Sequence, residues 1–145
     1  MSIKRTGSLE QSLNRFKSMD AQHVKVGVLD NSVYPDGTPV AAVAFWNEYG
    51  TKKIPPRPFF RSTIEAQRSA WVELTKKGIK AGYSLDHVLG LVGLQMMTDI
   101  QYTIMTFSSP PNSATTVALK GTNSPLRHTM LLHDSIKSEV VDGEM

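Results

Sequence analysis

The segment of residues 46–61, with the sequence WNEYGTKKIPPRPFFR, restricts the backbone more than any other part of the chain. Gly50 follows a stretch with helical spacing, and glycine readily adopts the left-handed conformation that ends a helix. Pro55, Pro56 and Pro58 fix φ and push the residue before each of them toward extended geometry. The segment therefore predicts a helix that ends at Gly50, a basic turn, and then a stiff, extended proline-rich segment.

The composition of residues 46–61 favours a protein-contact surface. A stiff segment loses few conformations on binding, and arginine and aromatic side chains are enriched at protein interfaces. We expect one of Phe59 and Phe60 to anchor the segment to the core, and the arginines to be better candidates for contact than the phenylalanines. The predicted interaction residues are Asn47, Glu48, Tyr49, Gly50, Lys52, Lys53, Pro56, Arg57, Pro58, Phe59 and Arg61.

Length and composition limit the class of protein to which this chain can belong. A chain of 145 residues is long enough for one core, which predicts a single domain over residues 1–145. The absence of cysteine excludes disulfides, thiolate metal sites and a cysteine nucleophile. The N-terminus lacks the apolar stretch of a secretory signal, and no apolar run reaches the roughly 20 residues of a membrane span. We therefore expect a soluble protein made in a reducing cytoplasm.

The first half of the chain shows helical and strand patterns. Residues 8–11 resemble a capping box and precede an amphipathic stretch, which predicts a short helix from about Leu9 to Ser18. Val24, Val26 and Val28 alternate with polar residues, as in a half-buried strand. Thr38 followed by Pro39 predicts the N-terminus of the helix that ends at Gly50.

The second half predicts two longer helices and a polar loop. A capping box at residues 62–65 predicts a helix to about Lys77, with Gly78 and Gly82 on either side of a break. Ser84 is expected to cap the longest helix, in which Gly90 and Gly93 suggest close packing of another backbone. Residues 107–127 have no pattern and predict a long loop that binds something or stays mobile.

The end of the chain predicts two further elements, a short helix from Thr129 to Ile136 and a strand at Val140 and Val141. That strand is expected to pair with the Val24 strand or with the edge of a neighbouring molecule. The fold class we predict is α+β, with a small, mostly antiparallel sheet packed against two central helices.

The catalytic and metal-binding patterns that we considered are weak. His128 and His133 are five residues apart, whereas a helical pair of metal ligands needs a spacing of three or four. There is no nucleophile elbow and no glycine-rich phosphate loop. Glu48 is best interpreted as a solvated charge at a helix end, paired with Lys52 or Arg57. We expect no enzyme activity, no cofactor and no metal.

Two other functions remain open at this point. The basic residues Lys52, Lys53, Arg57 and Arg61, interleaved with aromatic residues, would suit a small nucleic-acid-binding protein. A net charge of +3 is low for a dedicated duplex-binding protein, which disfavours nucleic acid as the main ligand. The other function is a hydrolase acting through Glu48 or His133. His133 neighbours Asp134 and Ser135, but a catalytic triad takes its base and orienting residue from separate elements.

The sequence also resembles a known group of proteins, through two blocks. The first is an Ala-x-x-Asn-Glu-Tyr-Gly-Thr motif followed by Ile-Pro-Pro-Arg-Pro-Phe-Phe-Arg, which runs from Ala44 to Arg61. This resembles the signature of the neck and tail-completion proteins of tailed bacteriophages, a group that includes minor tail and virion-morphogenesis proteins. The second block is matched by Lys120, Gly121, Pro125, Leu126, Thr129, Leu132, Ser135 and Ile136. Met130 stands where the family has glycine, and His128 where aspartate is frequent.

The resemblance implies a structural role in the virion. Such proteins form a ring, often a hexamer, at the tail end or at the head–tail junction, where the ring completes the tail and joins it to the head connector. The implied partners are copies of the same chain, the tail tube or terminator, and the connector. The positive charge of a ring could also favour DNA passing through its lumen.

Overall fold

The computed structural model describes residues 22–107 and 130–142. Within them the chain forms two strands and four helices. In chain order these are β1 (Gln22–Val28), α1 (Val40–Tyr49), α2 (Phe59–Lys80), α3 (Leu85–Thr106), α4 (Leu131–Asp134) and β2 (Ile136–Asp142). The expected N-terminal helix, and all but the first residue of the expected loop 107–127, lie outside the described residues.

The sheet consists of β1 and β2, which pair antiparallel over their full lengths. Val24 is opposite Val140, and Val28 is opposite Ile136. The alternating valines therefore predicted β1 correctly. The predicted strand at Val140 and Val141 is also confirmed, and its partner is the Val24 strand of the same chain.

The helices α2 and α3 form the antiparallel hairpin that carries the sheet. The Trp71 indole nitrogen of α2 donates to the Asp99 carboxylate of α3 at 2.7 Å. The sheet lies against α3, where a Cβ on Gly93 would come within 2.7 Å of Val24 Cγ2. Close packing is therefore found at Gly93, although the nearest atoms belong to side chains rather than to a backbone, whereas no described residue packs over Gly90. The main core joins both helices, α1, α4 and β2 through Val40, Ala44, Phe59, Ile100, Ile104, Leu132 and Ile136.

These elements make the protein an α+β fold with a small antiparallel sheet, as predicted, and the sheet packs mainly on α3 of the two central helices. The Ser84 cap is also confirmed, since its hydroxyl accepts a hydrogen bond from the His87 amide at 3.2 Å. Gly82 lies in the turn between α2 and α3 with φ of 87°, in the left-handed region that glycine tolerates.

Several predicted helix boundaries were wrong. The helix α2 begins at Phe59 rather than at Ser62, and it continues through Gly78 to Lys80. Gly78 lies inside the helix and does not break it. Its missing Cβ makes room for Val88, since a Cβ at Gly78 would lie only 2.8 Å from Val88 Cγ2. The helix α1 begins at Val40, with Pro39 rather than Thr38 at the N-cap. The last helix ends at Asp134, because Ile136 already pairs with Val28 in the sheet.

Candidate protein-contact surface

Glu48 lies at the end of α1 and caps the N-terminus of α2 from a distance in sequence. Its Oε2 accepts a hydrogen bond from the Phe60 amide at 2.9 Å, and its Oε1 accepts one from the Arg61 amide at 3.0 Å. The Arg61 side chain donates to Glu48 Oε1 at 2.9 Å and to the Glu48 carbonyl oxygen at 2.7 Å. We refer to these hydrogen bonds together as the Glu48 clamp.

The Glu48 clamp satisfies amides that every helix N-terminus leaves without an intrahelical partner. It also places a negative charge at the positive end of the α2 dipole. Glu48 is only 6% exposed. Its interpretation as a solvated charge paired with Lys52 or Arg57 was therefore wrong. The reason is that α2 starts earlier than predicted, which brings its first amides against the end of α1.

The turn after α1 has no room for a side chain at Gly50. The helix α1 ends at Gly50 as predicted, and the Gly50 amide donates to the Trp46 carbonyl at 2.8 Å. Its φ of 76° is positive, but its ψ of 172° lies outside the left-handed helical region that was predicted. A Cβ at this position would lie 2.9 Å from both the ring Cδ and the backbone nitrogen of Pro56. The Thr51 amide closes the turn by donating to the Ile54 carbonyl at 2.8 Å.

The proline-rich segment is exposed up to Pro56 and then meets the end of α1 at Arg57. The Arg57 amide donates to the Asn47 carbonyl oxygen, and the Arg57 residue is only 9% exposed. Burial lowers the pKa of the Arg57 guanidinium, but from a value so high that the group remains charged. The expectation that both arginines are better placed for contact than the phenylalanines was therefore wrong for Arg57. Phe59 is fully buried, and it anchors the segment as predicted for one of the pair.

Next to the Glu48 clamp, α1 and α2 expose a set of large apolar side chains. We define the aromatic face as Phe45, Trp46, Tyr49 and Ile64, all of which are exposed. Phe45, Tyr49 and Ile64 share one groove, whereas Trp46 lies about 100° further around α1 from Phe45. The Phe45 and Tyr49 rings are 4.8 Å apart, and the Arg61 guanidinium carbon lies 4.9 Å from the centre of the Tyr49 ring. Phe45 is 60% exposed and Tyr49 is 57% exposed. Together with Phe60 and Arg61, parts of this face line an open groove of about 320 Å³.

The structure thus divides the predicted interaction residues into two groups. Glu48, Arg57 and Phe59 are buried and make internal contacts, whereas Tyr49, Lys52, Lys53, Pro56 and Arg61 are exposed. Asn47, Gly50 and Pro58 are partly exposed, and the Asn47 amide donates to the Val43 carbonyl at 2.9 Å. Whether any of them touches a partner stays a prediction.

Sequence reasoning did not include Phe45 and Trp46 among the interaction residues. The sequence carries no clear signal for them, because the buried stripe of α1 consists of Val40, Ala44 and Glu48, and Glu48 is a charged residue whose carboxylate bonds to the start of α2. At 3.6 residues per turn, a buried stripe at these positions turns the side chains of Phe45 and Trp46 toward solvent.

The structure also describes residues that were considered for catalysis or metal binding. His133 Nδ1 lies 2.7 Å from the Asp134 carboxylate, while Ser135 is buried. Among residues 22–107 and 130–142, no three His, Cys, Asp or Glu side chains are grouped so that they could hold a metal ion. The helices found in these same ranges are all too short or too polar to span a membrane.

Comparison of the chain with models of protein families, with curated proteins and with solved structures gives no match. The resemblance described from the sequence therefore rests on its motif residues alone.

Proposed function

We propose that this chain is a structural subunit of a tailed-bacteriophage virion, which forms a ring at the tail end or the head–tail junction. The ring completes the tail and joins it to the head connector. Its partners are neighbouring copies of the chain, the tail tube or terminator, and the connector. In this proposal the protein has no enzymatic activity, and it is assembled into the virion in the host cytoplasm.

The observation that supports this proposal most is the aromatic face. Tyrosine and tryptophan are enriched at the centres of protein interfaces, and a cluster of exposed apolar side chains commonly marks an interaction site. The Glu48 clamp fixes both helices that carry the face. A surface of this kind loses little conformational freedom on assembly, which suits a subunit that docks repeatedly in one orientation.

The burial of Arg57 weakens the nucleic-acid alternative. Of the four basic residues considered for phosphate contact, Arg57 is buried and Arg61 is bonded to Glu48. Lys52 and Lys53 are exposed, but two lysines support only a weak, salt-sensitive attraction to phosphates. A modest attraction to DNA in the lumen of a ring remains compatible with this charge.

Deletion of the encoding gene from its phage or prophage tests the proposed function. We expect electron microscopy of the lysate to show filled heads and tails that are not joined, because the ring that connects them is missing. Supplying the gene from a plasmid should restore joined particles. Normally joined, infectious particles from the deletion strain would show that the proposal is wrong.

A further inference from the structure

A second apolar surface lies between the first half of α3 and the strand β2. Leu91 and Leu94 project from α3 and are about half exposed, at 46% and 52%. With Val24 and Val140 of the sheet they line an open groove of about 430 Å³. We call this surface the α3–β2 groove and define it by Asp86, Gly90, Leu91, Leu94 and Val140.

Gly90 makes this groove deeper without any benefit to the packing of the described residues. A Cβ added at Gly90 would meet nothing within 4 Å, whereas a Cβ at Gly93, one turn further on, would collide with Val24. A glycine inside a helix lowers the stability of that helix relative to alanine. Packing therefore explains Gly93, but within residues 22–107 and 130–142 it does not explain Gly90. A space of this kind suits an aromatic side chain that enters from another molecule.

The two surfaces carry opposite charges at their edges. Asp86, His87 and Glu139 line the α3–β2 groove, and two of these three side chains are acidic. Lys25 is exposed and opposite Glu139 in the sheet, so it offsets one of these two carboxylates. The Arg61 guanidinium lies over the Tyr49 ring of the aromatic face, and the exposed Lys52 and Lys53 lie three and four residues after Tyr49 in the chain. An aromatic surface with a basic edge thus complements an apolar groove with an acidic edge.

The two surfaces also lie at opposite ends of the α2–α3 hairpin. Near the aromatic face, the Thr63 hydroxyl donates to Thr103 Oγ1 at 2.6 Å, whereas Gly78 packs on Val88 near the groove. At 1.5 Å per residue, Val88 and Thr103 are about 22 Å apart along α3. Different surfaces that meet between identical subunits form a head-to-tail interface, which gives a ring when the rotation closes.

We infer that the aromatic face of one copy docks in the α3–β2 groove of the next copy, with Lys52 and Lys53 facing Asp86 and Glu139. This inference rests on the proposed function, which it deepens by naming the two surfaces that join neighbouring subunits. The open space over Gly90 receives an aromatic side chain of the neighbouring copy.

Cross-linking in assembled particles tests this contact, and the absence of cysteine from the chain means that this protein contributes no background thiols. Lys52→Cys and Leu94→Cys, each with its own tag, are co-expressed in the deletion strain, and the purified particles are treated with a short bismaleimide. We expect a covalent heterodimer that contains both tags. Particles built from either variant alone should give no dimer, and Val72→Cys with Leu94→Cys serves as the control for exposed residues outside the two surfaces.

Other occupants of the groove give different products. Dimers from Leu94→Cys alone would mean that the groove pairs with itself. An intramolecular cross-link in a Phe16→Cys/Leu94→Cys double variant would mean that the chain's own N-terminal segment fills it. Either product, or the absence of the heterodimer from particles that contain the protein, would overturn the inference while leaving the proposed function intact. Absence of the wild-type protein from purified particles would instead contradict the proposed function.

Gly90→Ala provides a second test that does not depend on folding defects. We expect its Tm to rise by about 2–6 °C because alanine favours the helix. When Gly90→Ala is added to both cysteine variants, we expect the cross-linked heterodimer to be lost because the new methyl group fills the docking space. Gly93→Ala, the matched control, should lower the Tm. A Gly90→Ala protein with a lower Tm, or with a higher Tm and an undiminished heterodimer, would contradict the inference.

Discussion

A Gly50→Val variant is expected to lose about 3–5 kcal/mol of folding free energy, which is a large share of the stability of a domain this size. Valine strongly disfavours the φ of 76° observed at this position. Its Cβ would also lie 2.9 Å from the ring and backbone of Pro56, which cannot rotate away. Thermal and urea unfolding followed by circular dichroism measure the loss.

Gly82→Val is the control that separates backbone strain from collision. Gly82 has φ of 87°, similar to Gly50, but a Cβ there would meet nothing within 4 Å. We therefore expect Gly82→Val to lose only about 1–2 kcal/mol, the cost of the strained backbone alone. Equal losses in the two variants would mean that the contact between Gly50 and Pro56 contributes nothing to the fold.

A Glu48→Ala variant is expected to lose about 2–4 kcal/mol of folding free energy. It leaves the Phe60 and Arg61 amides without their acceptor and removes the partner of the Arg61 guanidinium. The side chain is buried, so water cannot readily replace the lost carboxylate. Chemical unfolding of the purified variant measures the change.

Arg61→Ala should be much milder, about 1 kcal/mol or less, because the Arg61 side chain is 56% exposed and Glu48 keeps both amide contacts. The order of the two effects follows from the Glu48 clamp, in which Glu48 makes more contacts than Arg61. If Arg61→Ala were the more destabilising variant, the carboxylate would not be the main cap of α2.

Sequence patterns predicted the parts of this fold that depend on local rules. The alternating Val24, Val26 and Val28, the Ser84 cap and the helix end at Gly50 each depend on residues a few positions apart. The start of α2 was missed because Glu48 caps amides twelve and thirteen positions later in the chain. A capping residue from another helix leaves no local pattern, so the Ser62 capping box was the only visible signal.

The first motif block therefore has a structural explanation. Ala44 and Phe59 lie in the core, Glu48 caps α2, and Gly50 makes room for Pro56. The Asn47 carbonyl accepts the Arg57 amide and holds the proline-rich segment in place. The composition predicted a contact surface in this region, but only tertiary packing reveals that Phe45 and Trp46 stay exposed while Arg57 becomes buried.

Complementation of the deletion strain by a Phe45→Ala/Trp46→Ala double variant tests the central claim most directly. Because both side chains are exposed, we expect the purified variant to melt close to the wild-type Tm. A Val72→Ala/Tyr102→Ala double variant, which removes exposed side chains elsewhere, should restore plaque formation. We predict that the Phe45→Ala/Trp46→Ala variant leaves heads and tails unjoined. Wild-type numbers of joined, infectious particles from that variant would contradict the assignment of the aromatic face as the contact surface.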